Sequence, residues 1–250
     1  MNARHRMRSL ALIALAVLGS SGVFARANGQ TSTGRGPAPS LTTPTSPTKA
    51  PDTEGFIQRW LILEPIPTKG QLTDSAVQAV LKTDFFPNQL TVMPGRGDKV
   101  TVGGSELTWH AVDTIGYNVN LYHFAHALGR PTSNVLFWAV TVVNSPREMP
   151  GVRLAIGSNA ASVWWVNGKE VIGLYNDRQT VIDDGVSRRL TLQKGPNVLR
   201  AAIINGGGAT DFCARFLDGQ YSPVKDIRVT LAAGGDQSRT GASRVRPAVR

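Results

Sequence analysis

From Trp60 onward the chain alternates short apolar runs with clusters of glycine, proline and asparagine. Trp60-Leu61-Ile62-Leu63 is continuous and apolar and is stopped by Glu64-Pro65-Ile66-Pro67, the pattern of a buried strand ended by a proline bend. In TDSAVQAVLKTDFF, Val77, Val80 and Leu81 recur at helical spacing and predict one short helix. Beyond it the pattern belongs to strands. KVTVGGSELTWHAV reads as a strand, a Gly-Gly turn and a strand. VLFWAVTVVNSP, VRLAIGS, SVWWVNGKEVIG, RRLTLQKGPNVLRAAIIN, DFCARFL and DIRVTLA continue the series, separated by turn residues such as Lys194-Gly195-Pro196-Asn197 and Gly206-Gly207-Gly208. No internal repeat and no α/β alternation interrupts it. The series predicts an all-β, antiparallel β-sandwich with one short helix near the N-terminal side of the domain.

The segment GSNAASVWWVNGKEV, residues 157–171, is the sharpest local signal. Asn167-Gly168 suits the two positive-φ positions of a type I′ turn and predicts a hairpin. Trp164 and Trp165 precede that turn on one strand, so their rings point to opposite faces. An outward ring beside a turn would serve as a stacking platform for a flat ligand such as a sugar. The alternative is that it packs under a covering loop or a second sheet.

Composition changes the picture mainly at the two ends. Residues 1–27 carry Arg4, Arg6 and Arg8, an apolar run from Leu10 to Leu18 and the small-residue ending Ala25-Arg26-Ala27, the order of a secretory signal peptide. The run is too short to span a bilayer as a stable helix, so no membrane span is expected after signal cleavage, and the location expected is periplasmic or extracellular. Residues 28–51 are Thr, Ser, Pro and Gly with little to bury and read as a disordered linker; residues 234–250 read as a disordered basic tail. One domain, residues 52–233, lies between them. The chain's net charge of +10 belongs to the flanks: ten of the 27 Lys and Arg lie there with Asp236, which leaves the domain at about +1. The footprint of a nucleic-acid-binding domain is missing, and no nucleic-acid partner is expected. Cys213 is the only cysteine, so no internal disulfide is available, and the apolar alternation of DFCARF reads it as a buried thiol.

Several residues together carry a family resemblance. The order Trp60-Leu61-Ile62-Leu63-Glu64-Pro65, Thr83-Asp84-Phe85-Phe86, Gly104, Trp109, Ser145-Pro146, GSNAASVWWVNGKEV and LQKGPNVLRAAIINGGGATDFCARF resembles the galactose-binding-like jelly-roll module that accompanies secreted bacterial glycoside hydrolases and carbohydrate esterases. The resemblance implies a jelly-roll sandwich and, as a class, carbohydrate recognition. It also implies that Trp165 holds the sandwich together, since the family keeps an aromatic there. The family's Gly-Ser-Asp-Asp-Gly stretch reads Gly157-Ser158-Asn159-Ala160-Ala161 here, so both carboxylates that could serve calcium are replaced. No cofactor or metal is expected, with calcium left as an open alternative.

Catalytic chemistry finds little support. Gly103-Gly104-Ser105-Glu106-Leu107 fails the last position of a nucleophile elbow and sits in a turn between strands. His123 and His126, three apart, would share a helix face but not a strand face, and no third ligand is near in sequence. Asp183-Asp184, or Asp177 with Asp183, is the pair a glycosidase would need, but adjacent acids before Gly185 fit a turn. The candidate ligand-binding residues are Trp164 and Trp165 as stacking rings, with Tyr175, Asn176, Asp177, Arg178 and Asn205 as partners for sugar hydroxyls. The sequence thus reads as an exported, noncatalytic module that recognises glycan, polysaccharide or a cell-envelope polymer. Two alternatives remain: a protein-interaction or structural module with a protein partner, and an accessory or diverged domain of a carbohydrate esterase or glycoside hydrolase.

Overall fold

A computed structural model describes residues 41–68, 74–176 and 178–231. The expected signal peptide, the expected linker up to residue 40, Asp177 and the expected disordered tail lie outside the described residues. The strands are β1 (Leu41–Thr42), β2 (Arg59–Leu63), β3 (Ile66–Pro67), β4 (Lys99–Val102), β5 (Ser105–Thr114), β6 (Val119–Asn120), β7 (Val135–Ser145), β8 (Met149–Asn159), β9 (Ser162–Val166), β10 (Lys169–Leu174), β11 (Gly185–Val186), β12 (Leu190–Leu192), β13 (Gly195–Asn205), β14 (Asp211–Leu217) and β15 (Arg228–Thr230). The helices are α1 (Asp74–Leu81) and α2 (Leu121–Ala127).

These strands make a β-sandwich. The larger sheet runs β1-β5-β2-β7-β13-β9-β10 and the smaller β11-β8-β14-β6, with β12 also on β8. The hairpin expected at residues 162–174 forms, with Asn167 at φ 52° and Gly168 at φ 79°, as a type I′ turn needs. The central ladder joins β7 and β13 without a break from Gly195↔Ser145 to Asn205↔Val135. Its near-continuous apolar composition fits a strand pair buried on both faces.

Two separate cores follow from that. Between the sheets, Trp60, Trp164 and Phe212 pack edge to face, Trp60 to Phe212 at 5.0 Å and Trp164 to Phe212 at 5.5 Å between centroids. On the other face of the larger sheet, Trp138 and Trp165 stack at 5.4 Å and 19°, and Phe86 meets Trp138 edge-on. Val77 and Leu81 of α1, with Phe86 and Leu90 from the chain after it, cover this second core.

Two expectations change. The segment 41–51, assigned by composition to the linker, is held against the sandwich: β1 pairs with the end of β5, and Lys49 bridges Val229. The buried Arg59 guanidinium fixes it further, donating to both oxygens of Asp113 and to the carbonyl of Ser46. A polar segment with little apolar area is ordered here by charge-assisted bonds and edge pairing. The structure also holds a second short helix, α2, where one helix was expected. Leu121, Phe124 and Ala125 form its buried stripe, and Asn120 caps it by accepting from the amide of His123.

Candidate functional site

Four connections meet at one end of the sandwich: residues 115–118 after β5, 160–161 between β8 and β9, 175–176 with 178–184 between β10 and β11, and 206–210 between β13 and β14. They meet because Asp211, the first residue of β14, pairs with Asn120 on one side and Asn159 on the other. The Asp211 carboxylate accepts from Asn118 Nδ2 at 2.9 Å and from the hydroxyl of Thr180. The amide of Asn159, with its nitrogen turned toward them, donates to the carbonyls of Arg178 and Ala209, both at 3.1 Å. Arg178 pairs with Asp184 at 3.1 Å. Asn118 Oδ1, Arg178 Nε and Thr210 Oγ1 are buried with no hydrogen-bond partner among the described residues. All three are closed to solvent and lie beneath the rim, under the surface a ligand would touch.

The predicted stacking rings are not on this rim. Trp164 is 0% exposed and its indole N–H donates to Ser162 Oγ at 2.9 Å inside the sandwich; Trp165 is 5% exposed and lies under the chain after α1. The alternation placed them on opposite faces as expected, but both faces of the larger sheet are covered, and neither ring is an open stacking platform. Asn205 is buried too: it donates to the carbonyl of Thr132 at 2.6 Å and accepts from the amide of Gly207, shaping the loop rather than facing solvent. Tyr175 is half-buried, with its hydroxyl 3.4 Å from Glu170 and Lys82 over its ring. Asn176 is exposed and Arg178 half-buried, both on the rim; Asp177 lies outside the described residues.

Sequence reasoning missed Tyr122. It is 36% exposed, its amide donates to the carbonyl of Thr210 at 3.1 Å, and its ring stacks on His126 at 6.1 Å and 11°. The signal was present in LYHFAHAL, where Leu121, Phe124 and Ala125 mark the inner face and leave Tyr122, His123 and His126 together outside. The two histidines therefore flank an aromatic ring. Among the described residues no three His, Cys, Asp or Glu side chains are grouped to hold a metal.

Asp183 and Asp184 are committed elsewhere. Asp183, at φ 56° in a turn, accepts from Arg215 Nε at 3.0 Å, and Asp184 is held by Arg178. The Asp183–Arg215 contact straps residues 178–184 across the outer face of the smaller sheet. Gly157 lies beneath the strap, where a Cβ would stand 2.1 Å from the carbonyl oxygen of Val181. Cys213 is 1% exposed on that face, and burial pushes its thiol up to about 12. No helix among the described residues is long and apolar enough to cross a membrane.

No protein-family model matches the chain, and no curated protein matches it. Among solved structures, it is similar to the PA14 domain of the antifreeze protein MpAFP, at 13% identity over 76% of this chain and 94% of that one, with a TM-score of 0.39. It is similar at 12% identity and a TM-score of 0.39 to a PA14 sugar-binding domain from an RTX adhesin, over 68% of this chain and 96% of that one. A β-glucosidase from Kluyveromyces marxianus is similar at 18% identity and a TM-score of 0.34, over 52% of this chain and 16% of the enzyme.

Proposed function

We propose that the domain is an exported, noncatalytic module that binds glycan or an envelope polysaccharide at the loop end of the sandwich. The observation that supports this reading is the exposed ring of Tyr122 at the loop end that also carries the exposed Asn176 and the half-buried Asn118 and Arg178. Tyr122 supplies the apolar face for a sugar ring, and Asn118, Asn176 and Arg178 supply directional partners for its hydroxyls. The galactose-binding-like jelly-roll assignment belongs to the same proposal; calcium is left to the test below, since the carbonyls of Arg178 and Ala209 already accept from the Asn159 amide. Export follows from the basic, apolar and small-residue order of residues 1–27.

A glycan array and polysaccharide pull-down test the reading, run with and without calcium on the protein and its Tyr122→Ala and Asn176→Ala variants. The expected result is a specific hit weakened by roughly 1 to 3 kcal/mol in Tyr122→Ala, with unfolding unchanged. A blank panel from correctly folded protein overturns the glycan reading and favours a protein partner.

A further inference from the structure

β13 carries one side chain for which the fold supplies no partner of the right chemistry. Arg200 is 1% exposed and stands in register between Val140 of β7 and Trp165 of β9. Among the described residues its Nη2 donates only to Met93 Sδ, a weak acceptor, at 3.5 Å, while Nε and Nη1 have no hydrogen-bond partner. Two other arginines show what the geometry normally provides. Arg59, equally buried, holds the carboxylate of Asp113 with Nε and Nη2, each at 2.8 Å, and Arg215 holds Asp183 by the same edge. Arg200 has no such ion pair among the described residues. Burial pushes its guanidinium down to about 10, so at neutral pH it remains charged. A desolvated cation without a counter-charge is unfavourable and is a standing demand for an anion.

We propose that Arg200 is the receptor of a carboxylate site on the α1 side of the larger sheet. A small acid seats its two oxygens side-on, on Nε and Nη2, and takes the place of Met93 Sδ. The pairing copies the one Arg59 makes with Asp113 and is bidentate and charge-assisted. Met93 is half-buried and follows α1 on a loop, and its unbranched side chain can swing aside to admit the ligand. Trp165 and Val140 flank the position in the sheet and make it apolar, which favours a small acid with a compact apolar body and strengthens each charged hydrogen bond. The site stands apart from the loop rim: Arg200 precedes Asn205 by five residues of strand, roughly 16 Å.

The test is thermal unfolding of the full chain at fixed pH and ionic strength in chloride, acetate and glucuronate, for the wild type and Arg200→Met. Acetate or glucuronate is expected to raise the wild-type midpoint saturably, by roughly 5 to 10 °C at a hundredfold excess over Kd, and to leave Arg200→Met unmoved. Response to acetate assigns the site to small free acids, and response to glucuronate alone assigns it to acidic sugars. Should the variant not fold, the Arg200 Nε–H resonance of the wild type is titrated instead; a saturable shift with either carboxylate and none with chloride supports the site. Equal responses in both proteins, no response in the wild type, or an unmoved resonance overturns it.

Discussion

Trp164 and Trp165 are neighbours in sequence and both are lost to solvent, yet what covers them differs. Trp164 lies under a second sheet, wedged against Trp60 and Phe212 and satisfied by Ser162. Trp165 lies under a helix of about two turns and an irregular segment, stacked on Trp138, whose own indole N–H has no partner among the described residues. A sheet-covered core is closed by ladders that must break together. A loop-covered core is closed by side chains that can lift locally, and local opening draws on regions with few regular hydrogen bonds. The same relation holds on the smaller sheet, where the strap 178–184 covers Gly157 and Cys213. Equal burial therefore does not mean equal permanence.

The largest effect that could break this comparison is cavity formation. Trp164→Ala is expected to cost about 5 kcal/mol and Trp165→Ala about 3, because the loop can collapse into the second cavity and the sheet cannot. Urea unfolding of both variants measures the difference, and a reversed order removes the distinction. Next comes the strap. Gly157→Ala drives a methyl into the Val181 carbonyl and is expected to cost about 1 to 3 kcal/mol, with amide exchange accelerated at residues 178–184 and unchanged in β13. Cys213 sharpens the same point through pH. Its folded pKa is raised to about 12 from an ordinary 9.0, so the folded state keeps the proton that the unfolded chain loses. Wild-type stability should then fall relative to Cys213→Ala as pH rises above about 9, by roughly 1 kcal/mol at pH 10. Denaturant midpoints at pH 7, 9 and 10 report it. Smallest of all, Tyr122→Ala should change stability by less than about 0.5 kcal/mol, since its ring lies on the open face of α2.

How much of this was legible depended on the range of the interaction. The hairpin at Asn167-Gly168, the continuous apolar runs of β7 and β13 and the alternation of β14 are written in neighbouring residues, and the sandwich followed from them. The burial of Trp165 is not local: it needs α1 and Phe86, about eighty residues earlier in the chain, to return over the sheet. The order of residues 41–51 depends on Arg59 meeting Asp113 across 54 positions of sequence, which composition cannot report. Helix α2 is only seven residues long and carries two histidines and a tyrosine, so its apolar stripe is short and ambiguous with a strand. That Asn176 and Arg178 lie in a surface loop was legible because turn-rich polar loops announce themselves, whereas the exposure of Tyr122 was hidden by a helix too short to read.

The pairing of Leu41 with Thr114 has a practical side. Thr114 ends β5 and its hydroxyl donates to the carbonyl of Asn118, so the N-terminal flank joins the domain beside the rim. Anything fused just ahead of Leu41, whether a purification handle, a fluorophore or a surface linker, is delivered to the neighbourhood of Asn118 and Tyr122. Immobilising the protein by that end would shade the loop rim proposed as the binding surface, and a probe placed there would report occupancy of that rim by proximity.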